Sequence, residues 1–172
     1  MMDRRGQGAL FDATAFLVIM LVASSSLYAY SGMLARETSS SNAADEMAYA
    51  QAMLGALTRT TVTNASYILG GASVRVADAP AGELLTEELA MMMAGASANF
   101  SGCNDKISEI ADALADGRAW SLECAYDNAT LGGARLRMGS EPGAQRFSAS
   151  AETQMAGGFA GRAHIVLHVW RL

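Results

Sequence analysis

The sequence predicts an α+β protein: a long N-terminal hydrophobic, transmembrane helix, then a small extracellular head with short helices and an antiparallel sheet of about four strands. Three observations predict this class. An apolar stretch from Ala9 to Tyr30 contains a single charge, Asp12. Apolar residues then recur at helical spacing up to about residue 58. The last third of the chain alternates between polar and apolar residues, with turn residues separating the alternating segments.

The apolar stretch is long enough for a membrane span. Its 22 residues reach roughly 33 Å as a helix, against a hydrocarbon layer of about 30 Å. Arg4 and Arg5 precede it, so the positive-inside rule places the short N-terminus in the cytoplasm and the remainder outside. We therefore expect a single-pass protein of the cell membrane, with membrane lipid as a partner. The predicted divisions are a basic leader 1–8, a transmembrane or filament-core helix 9–31, an amphipathic extension 32–58 and an extracellular head 59–172.

The elements after the membrane helix follow from local patterns. The extension has apolar residues on one helical face, with a weak point at residues 38–42 that predicts a kink or a break. Gly70-Gly71 between two short β-rich segments predicts a hairpin. A helix is expected over about Glu83 to Ala94. Ser101 to Asn104 is expected to be a capping region, followed by a helix through Ile107 and Leu114 that ends at Asp116-Gly117. Strands are expected over 119–126, 134–138, 146–153 and 162–171, in an antiparallel meander.

Composition and motifs argue against several functions. The net charge is −5, so no nucleic-acid partner is expected. His164 and His168 lie on one face of a predicted strand, roughly 13 Å apart, which is too far to share one metal ion. No nucleophile elbow and no phosphate-binding loop are present in the sequence. We therefore expect no metal, no cofactor and no enzymatic activity.

Two features fit a domain that faces outward. Cys103 and Cys124 are the only cysteines, and a disulfide between them would close a loop of about twenty residues, contributing on the order of 3 kcal/mol. Asn64, Asn99 and Asn128 each begin an Asn-x-Ser/Thr sequon in a predicted loop. Glycosylation after export is one interpretation. Small polar residues in ordinary turns are the other.

The leader Arg4-Arg5-Gly6-Gln7, placed before an apolar helix, resembles the processing site of archaeal type IV prepilins and archaellins. The resemblance implies that a prepilin peptidase cuts after Gly6, and that the long helix then moves from the membrane into a filament core. The match is recognisable over about the first 35 residues and holds beyond them only in layout. It departs from the family because cleavage there places Phe11, rather than a glutamate, at the fifth mature position, with Asp12 next.

The resemblance implies a structural subunit or minor pilin-like component of an extracellular filament or surface assembly, with other copies or related subunits as partners. The expected subunit contacts are Phe11, Asp12, Phe16, Leu17 and Leu21. For Asp12, a position at the membrane interface is the alternative to a subunit contact. The alternative for the whole chain is a monomeric, signal-anchored surface domain that binds a partner protein or a glycan.

Overall fold

The computed structural model describes residues 4–128, 132–143 and 145–171, with the helix side chains at 16, 17, 20–33 and from 42 onward. In chain order the elements are α1 Arg4–Arg59, β1 Thr61–Val62, β2 Ser66–Leu69, β3 Ala72–Arg75, β4 Ala79–Pro80, α2 Ala81–Met93, β5 Ala98–Asn99, α3 Ser101–Ala115, β6 Ala119–Asn128, β7 Gly132–Gly139, β8 Phe147–Gln154 and β9 Arg162–Trp170. The chain forms two compact units, Met1–Ala44 and Asp45–Leu172, and the second unit is called the head below.

Helix α1 is continuous through residues 38–42, where the sequence predicted a kink or a break. The serines there have only a modest helix penalty, and the chain contains no proline before Pro80 that would remove a helical hydrogen bond. The helix ends at Arg59, where the Thr60 amide donates to the Ala56 carbonyl at 2.9 Å.

The predicted transmembrane helix is wrong. Among the residues that the structure describes, no helix is both long and apolar enough to cross a membrane. The predicted localisation as a single-pass protein of the cell membrane with an extracellular head depended on this helix, and it is therefore wrong as well.

The main sheet of the head has four antiparallel strands in the order β7-β6-β9-β8. The predicted meander would place the strands in chain order, whereas β9 lies between β6 and β8. Strand β9 carries Ile165, Leu167 and Val169, all buried, and therefore gains most from a central position. Strand β8 has alanine, serine and threonine instead and forms an edge.

One face of this sheet is covered by helices. Helix α2 contacts β6, β7 and β8, and α3 contacts β6 and β7. The covered face presents the even-numbered residues of β6 and the odd-numbered residues of β9, which pair across the sheet in register. The largest fully buried side chains in the resulting core are Tyr126, Leu54, Leu57, Leu85, Leu89, Ile107, Leu122, Ile165 and Leu167. Leu54 and Leu57 come from α1, so the last turns of that helix belong to the head core.

The predicted disulfide is wrong. Cys103, in α3, and Cys124, in β6, are both buried and both are free thiols. Each packs as a small apolar side chain on its own element, within the layer between the helices and the sheet. Burial raises the pKa of the Cys124 thiol to about 12, and the nearby Glu88 carboxylate adds to the shift. A thiol with such a pKa is protonated and unreactive at neutral pH.

The placement of the sequons in loops is also corrected for two of the three. Asn99 lies in β5 and its side-chain oxygen accepts a hydrogen bond from the Ser101 amide at 2.9 Å. Asn128 ends β6, where its amide donates to the Tyr126 hydroxyl at 3.0 Å. Asn64 lies in a loop with a positive φ of 55°. The side chains of Asn99 and Asn128 therefore have internal hydrogen bonds, and local structure explains why asparagine occurs at these two positions. The glycoprotein interpretation is withdrawn.

Candidate assembly interface on the N-terminal helix

The part of α1 that precedes the head carries large apolar side chains exposed to solvent. Every described large hydrophobic residue between positions 16 and 33 is more than half exposed, from 53% at Met20 to 83% at Tyr28. These residues are Phe16, Leu17, Met20, Leu21, Val22, Leu27, Tyr28, Tyr30 and Met33. Contiguous apolar surface of this kind marks a site of interaction in a folded protein.

The nine side chains surround the helix. At 100° per residue they form three stripes, separated by roughly a third of a turn each. The stripes are Phe16, Met20 and Leu27, then Leu17, Leu21 and Tyr28, then Val22, Tyr30 and Met33. A surface helix that packs on one core has a single apolar stripe, whereas a helix that is apolar all round is buried on all sides.

The serines of this segment do not oppose burial. Ser25 Oγ donates to the Leu21 carbonyl at 2.8 Å, and Ser26 Oγ donates to the Val22 carbonyl at 2.8 Å. Ser31 Oγ bonds the Tyr28 carbonyl at 2.9 Å in the same way. Because these hydroxyls already have partners within the helix, covering the helix leaves none of them unsatisfied. Their small size also allows a neighbouring helix to approach closely.

The helix carries no charge between Asp12 and Arg36. Of the expected subunit contacts, Phe16, Leu17 and Leu21 lie on this exposed surface. The side chains of Phe11 and Asp12 lie outside the described ones. The side chains of Arg4, Arg5 and Gln7, in the predicted processing site, also lie outside the described ones. For these residues and for Gly6 the structure describes only the helical backbone.

Within the head, the final part of α1 is fixed by a buried carboxylate that the sequence analysis did not single out. Glu46 is 8% exposed and accepts a hydrogen bond from Arg118 Nε at 3.2 Å and another from Arg171. The Arg118 guanidinium lies 3.9 Å from the centre of the Tyr49 ring, and the Tyr49 hydroxyl donates to the Leu114 carbonyl at 2.5 Å. The hydrogen bond from Arg118 holds the pKa of Glu46 below its usual range.

Both arginines are distant from Glu46 in sequence, so no local pattern could have identified this cluster. Arg118 follows α3 and Arg171 follows β9, which means that the cluster joins three separate elements of the head. Glu46 lies four residues after the polar 38–42 segment. In the sequence it is as compatible with an acidic residue in the first turn of an ordinary helix as with a member of an ion-pair cluster. Its role is visible only when the strands and helices are packed.

The two histidines lie on the outward face of the sheet and are separately bonded. His168 Nδ1 is 2.6 Å from Ser148 Oγ, and His164 Nδ1 is 3.5 Å from Glu152 Oε1. Burial lowers the pKa of His168, and the neighbouring Arg146 lowers it further. Over the described part of the chain, no group of three or more histidine, cysteine, aspartate or glutamate residues is placed to hold a metal ion.

Comparison with known proteins found no relative: no protein-family model, no curated protein and no solved structure matches the chain. The defining property of the candidate site is the uncovered apolar circumference of α1 between positions 16 and 33.

Proposed function

We propose that this chain is a structural subunit of a multi-copy assembly, in which residues 16–33 of α1 pack against the same helix of several other copies. The observation that carries the proposal is the exposure of large apolar side chains all round that helix. A second copy is the natural partner because its helix has the same apolar, uncharged surface, with small serines between the large side chains. The pilin-like leader supports the same type of function.

The magnitudes favour several neighbours over one. Burying a large apolar side chain contributes about 1.5 to 3 kcal/mol, so covering these nine partly exposed residues contributes on the order of 10 to 20 kcal/mol per copy. One neighbouring helix covers roughly one stripe of the three on each copy, so a dimer leaves about two thirds of this apolar surface in water. Association itself costs at least about 4 kcal/mol of lost motional freedom. Each further neighbour covers another stripe, so neighbours on all sides use the full apolar surface.

The proposal is tested by placing a charge on two different stripes. We expect the full-length chain to form a multi-copy species in sedimentation velocity, and the variant Leu21→Glu/Leu27→Glu to be monomeric at the same concentration. Ala48→Glu is the matched control, since Ala48 is exposed on the same helix but lies in the head. Circular dichroism of each variant verifies that the head remains folded.

Cross-linking gives an independent measurement. Ser24 lies between two of the stripes, so Ser24→Cys is expected to form covalent dimers on mild oxidation, while Ala48→Cys is not. The native Cys103 and Cys124 are buried and do not interfere. A wild-type chain that is monomeric at all concentrations, or that stays in solution only with bound detergent or lipid, would overturn the proposal.

A further inference from the structure

The head has two sides of opposite charge. Residues 81–116, which include α2 and α3, contain seven acidic residues and one lysine. Residues 132–171, which include β7, β8 and β9, contain five arginines and two glutamates. The net charge of the whole chain is −5, but within the head the acidic and basic residues are concentrated in different segments.

The positive charge lies on the face of the sheet that no helix covers. The outward residues in register across the sheet are Arg137 and Glu123 in one row, and Arg135 and His164 in the next. Arg135 pairs with Glu123 at 3.1 Å, and Arg162 pairs with Glu152 at 3.1 Å. Among the described residues, no carboxylate pairs with the exposed Arg137 or with Arg146.

His168 lies among these charged groups. Burial lowers the pKa of His168 most, Arg146 and Arg137 lower it further, and Glu123 acts in the opposite direction. We define the basic face as the outward side of the sheet around Arg137, Arg146 and His168. Ser148 and Ser150 of β8 extend it to the edge of the sheet.

The negative charge is concentrated along α3. Asp105, Glu109 and Asp112 follow one another at spacings of four and three residues, so they form a single stripe. Asp116 directly follows the helix, and all four acids are exposed. Lys106 pairs with Glu109 at 2.7 Å and leaves the other acids of the stripe without a basic partner among the described residues. Asp112 additionally accepts a hydrogen bond from Trp120 Nε1 at 2.7 Å.

Most of the acidic stripe points away from the sheet, and only Asp112, at its margin, reaches Trp120 of β6. The buried residues of α3 are Cys103, Ile107, Ala111 and Ala115, and they lie nearly half a turn round the helix from the acids. Since the buried side contacts the inner face of the sheet, the acidic stripe and the basic face are on opposite sides of the head.

We propose that the heads bind head to tail, with the basic face of one copy against the acidic stripe of the next. This inference deepens the proposed function, on which it rests, by naming a second contact within the same assembly. Two basic faces repel each other, as do two acidic stripes, so the contact pairs unlike surfaces. Because those surfaces are on opposite sides of one head, each copy has a free site left, and the contact extends into an open chain unless the rotation closes a ring.

Charge reversal and its rescue test the contact in the full-length chain. The basic-face variant is Arg137→Glu/Arg146→Glu and the stripe variant is Asp105→Arg/Glu109→Arg. Each is expected to raise the concentration needed for assembly about tenfold or more, because like charges then face each other across the contact. The combined four-residue variant is expected to restore assembly to within about threefold of wild type. Restoration is a result that a merely local effect of either pair would not produce.

The control for net charge is Arg59→Glu/Arg75→Glu, which changes the charge equally at two exposed arginines outside the basic face. It is expected to leave the assembly concentration within about threefold. Raising sodium chloride from 0.05 to 0.5 M should weaken the wild-type contact, since the Debye length falls well below 10 Å. Tryptophan fluorescence of Trp120 and Trp170 monitors folding of every variant.

The outcomes separate the two proposals. If wild type assembles and depends on residues 16–33, but neither reversal has an effect or the combined variant assembles worse than either pair, the head contact is overturned and the helical core stands. If wild type does not assemble at all, the proposed function itself fails.

Discussion

Replacing Glu46 by glutamine tests the cluster that fixes the final part of α1 in the head. The substitution keeps the shape and removes the charge, so Arg118 loses its carboxylate partner while its side chain is only 21% exposed. Removing one partner of a fully buried ion pair costs about 3 to 5 kcal/mol. The cost here is smaller, because the Arg171 side chain is 77% exposed and Arg118 retains the Tyr49 ring. We expect a loss of about 2 kcal/mol.

The assay is urea unfolding of the full-length chain, followed by the fluorescence of the two head tryptophans. For a head of this size a loss of about 2 kcal/mol corresponds to a fall in Tm of roughly 6 to 10 °C. Asp45→Asn is the matched control, since Asp45 is the exposed neighbour of Glu46 in the same helix. It should change the free energy of unfolding by less than about 0.5 kcal/mol.

The pH dependence gives the sharper test. The folded-state pKa of Glu46 lies below its unfolded value, so the cluster stabilises the head fully above the unfolded pKa of about 4.3. That stabilisation is lost as the pH falls through the folded pKa. The difference between wild type and Glu46→Gln should therefore be largest near pH 7 and shrink below about pH 4. An equal difference at pH 7 and pH 3 would refute an electrostatic role for Glu46.

Three further predictions concern the head. Leu85→Ala should reduce the free energy of unfolding by about 3 kcal/mol, because Leu85 is fully buried, while Ile68→Ala at a 47% exposed position should cost under about 1 kcal/mol. Gly139→Ala should reduce the free energy of unfolding by about 2 kcal/mol in the same urea assay, since Gly139 has a φ of +85° and an added Cβ would lie 2.5 Å from the Trp120 carbonyl oxygen. Gly55 lies in open space on α1, so Gly55→Ala should instead raise the free energy of unfolding by about 0.5 to 1 kcal/mol. The Cys124 thiol should react with a thiol reagent only after unfolding, and rapid reaction of the folded protein would contradict its burial.

Local chemistry made several elements predictable. Gly70 and Gly71 both have positive φ, and they form the turn between β2 and β3, because glycine adopts that conformation without a steric penalty. Asp116 and Gly117 end α3 in the same way, with φ values of 48° and 78°. These signals act within a few residues and do not depend on packing.

Other predictions failed because they needed distances between segments. The cysteine pair was inferred from residue type and expected environment, whereas Cys103 and Cys124 are each packed independently into the core. The order of the sheet was inferred from chain order, whereas it follows the burial of β9, which is the most apolar of the four strands. The transmembrane prediction counted apolar residues over 9–31, whereas no helix among the residues that the structure describes is long and apolar enough to cross a membrane.

The sequence by itself determined where most of the helices, turns and alternating strands of the head occur, and that the segment before the head is apolar and uncharged, since these properties belong to neighbouring residues. Only the tertiary structure decided which charges meet. Glu46 lies beside two arginines that are 72 and 125 residues away, and the acids of α3 and the arginines of the sheet come to opposite sides of one head. The physical reason is that burial and charge pairing depend on distance in space, which a linear pattern does not encode.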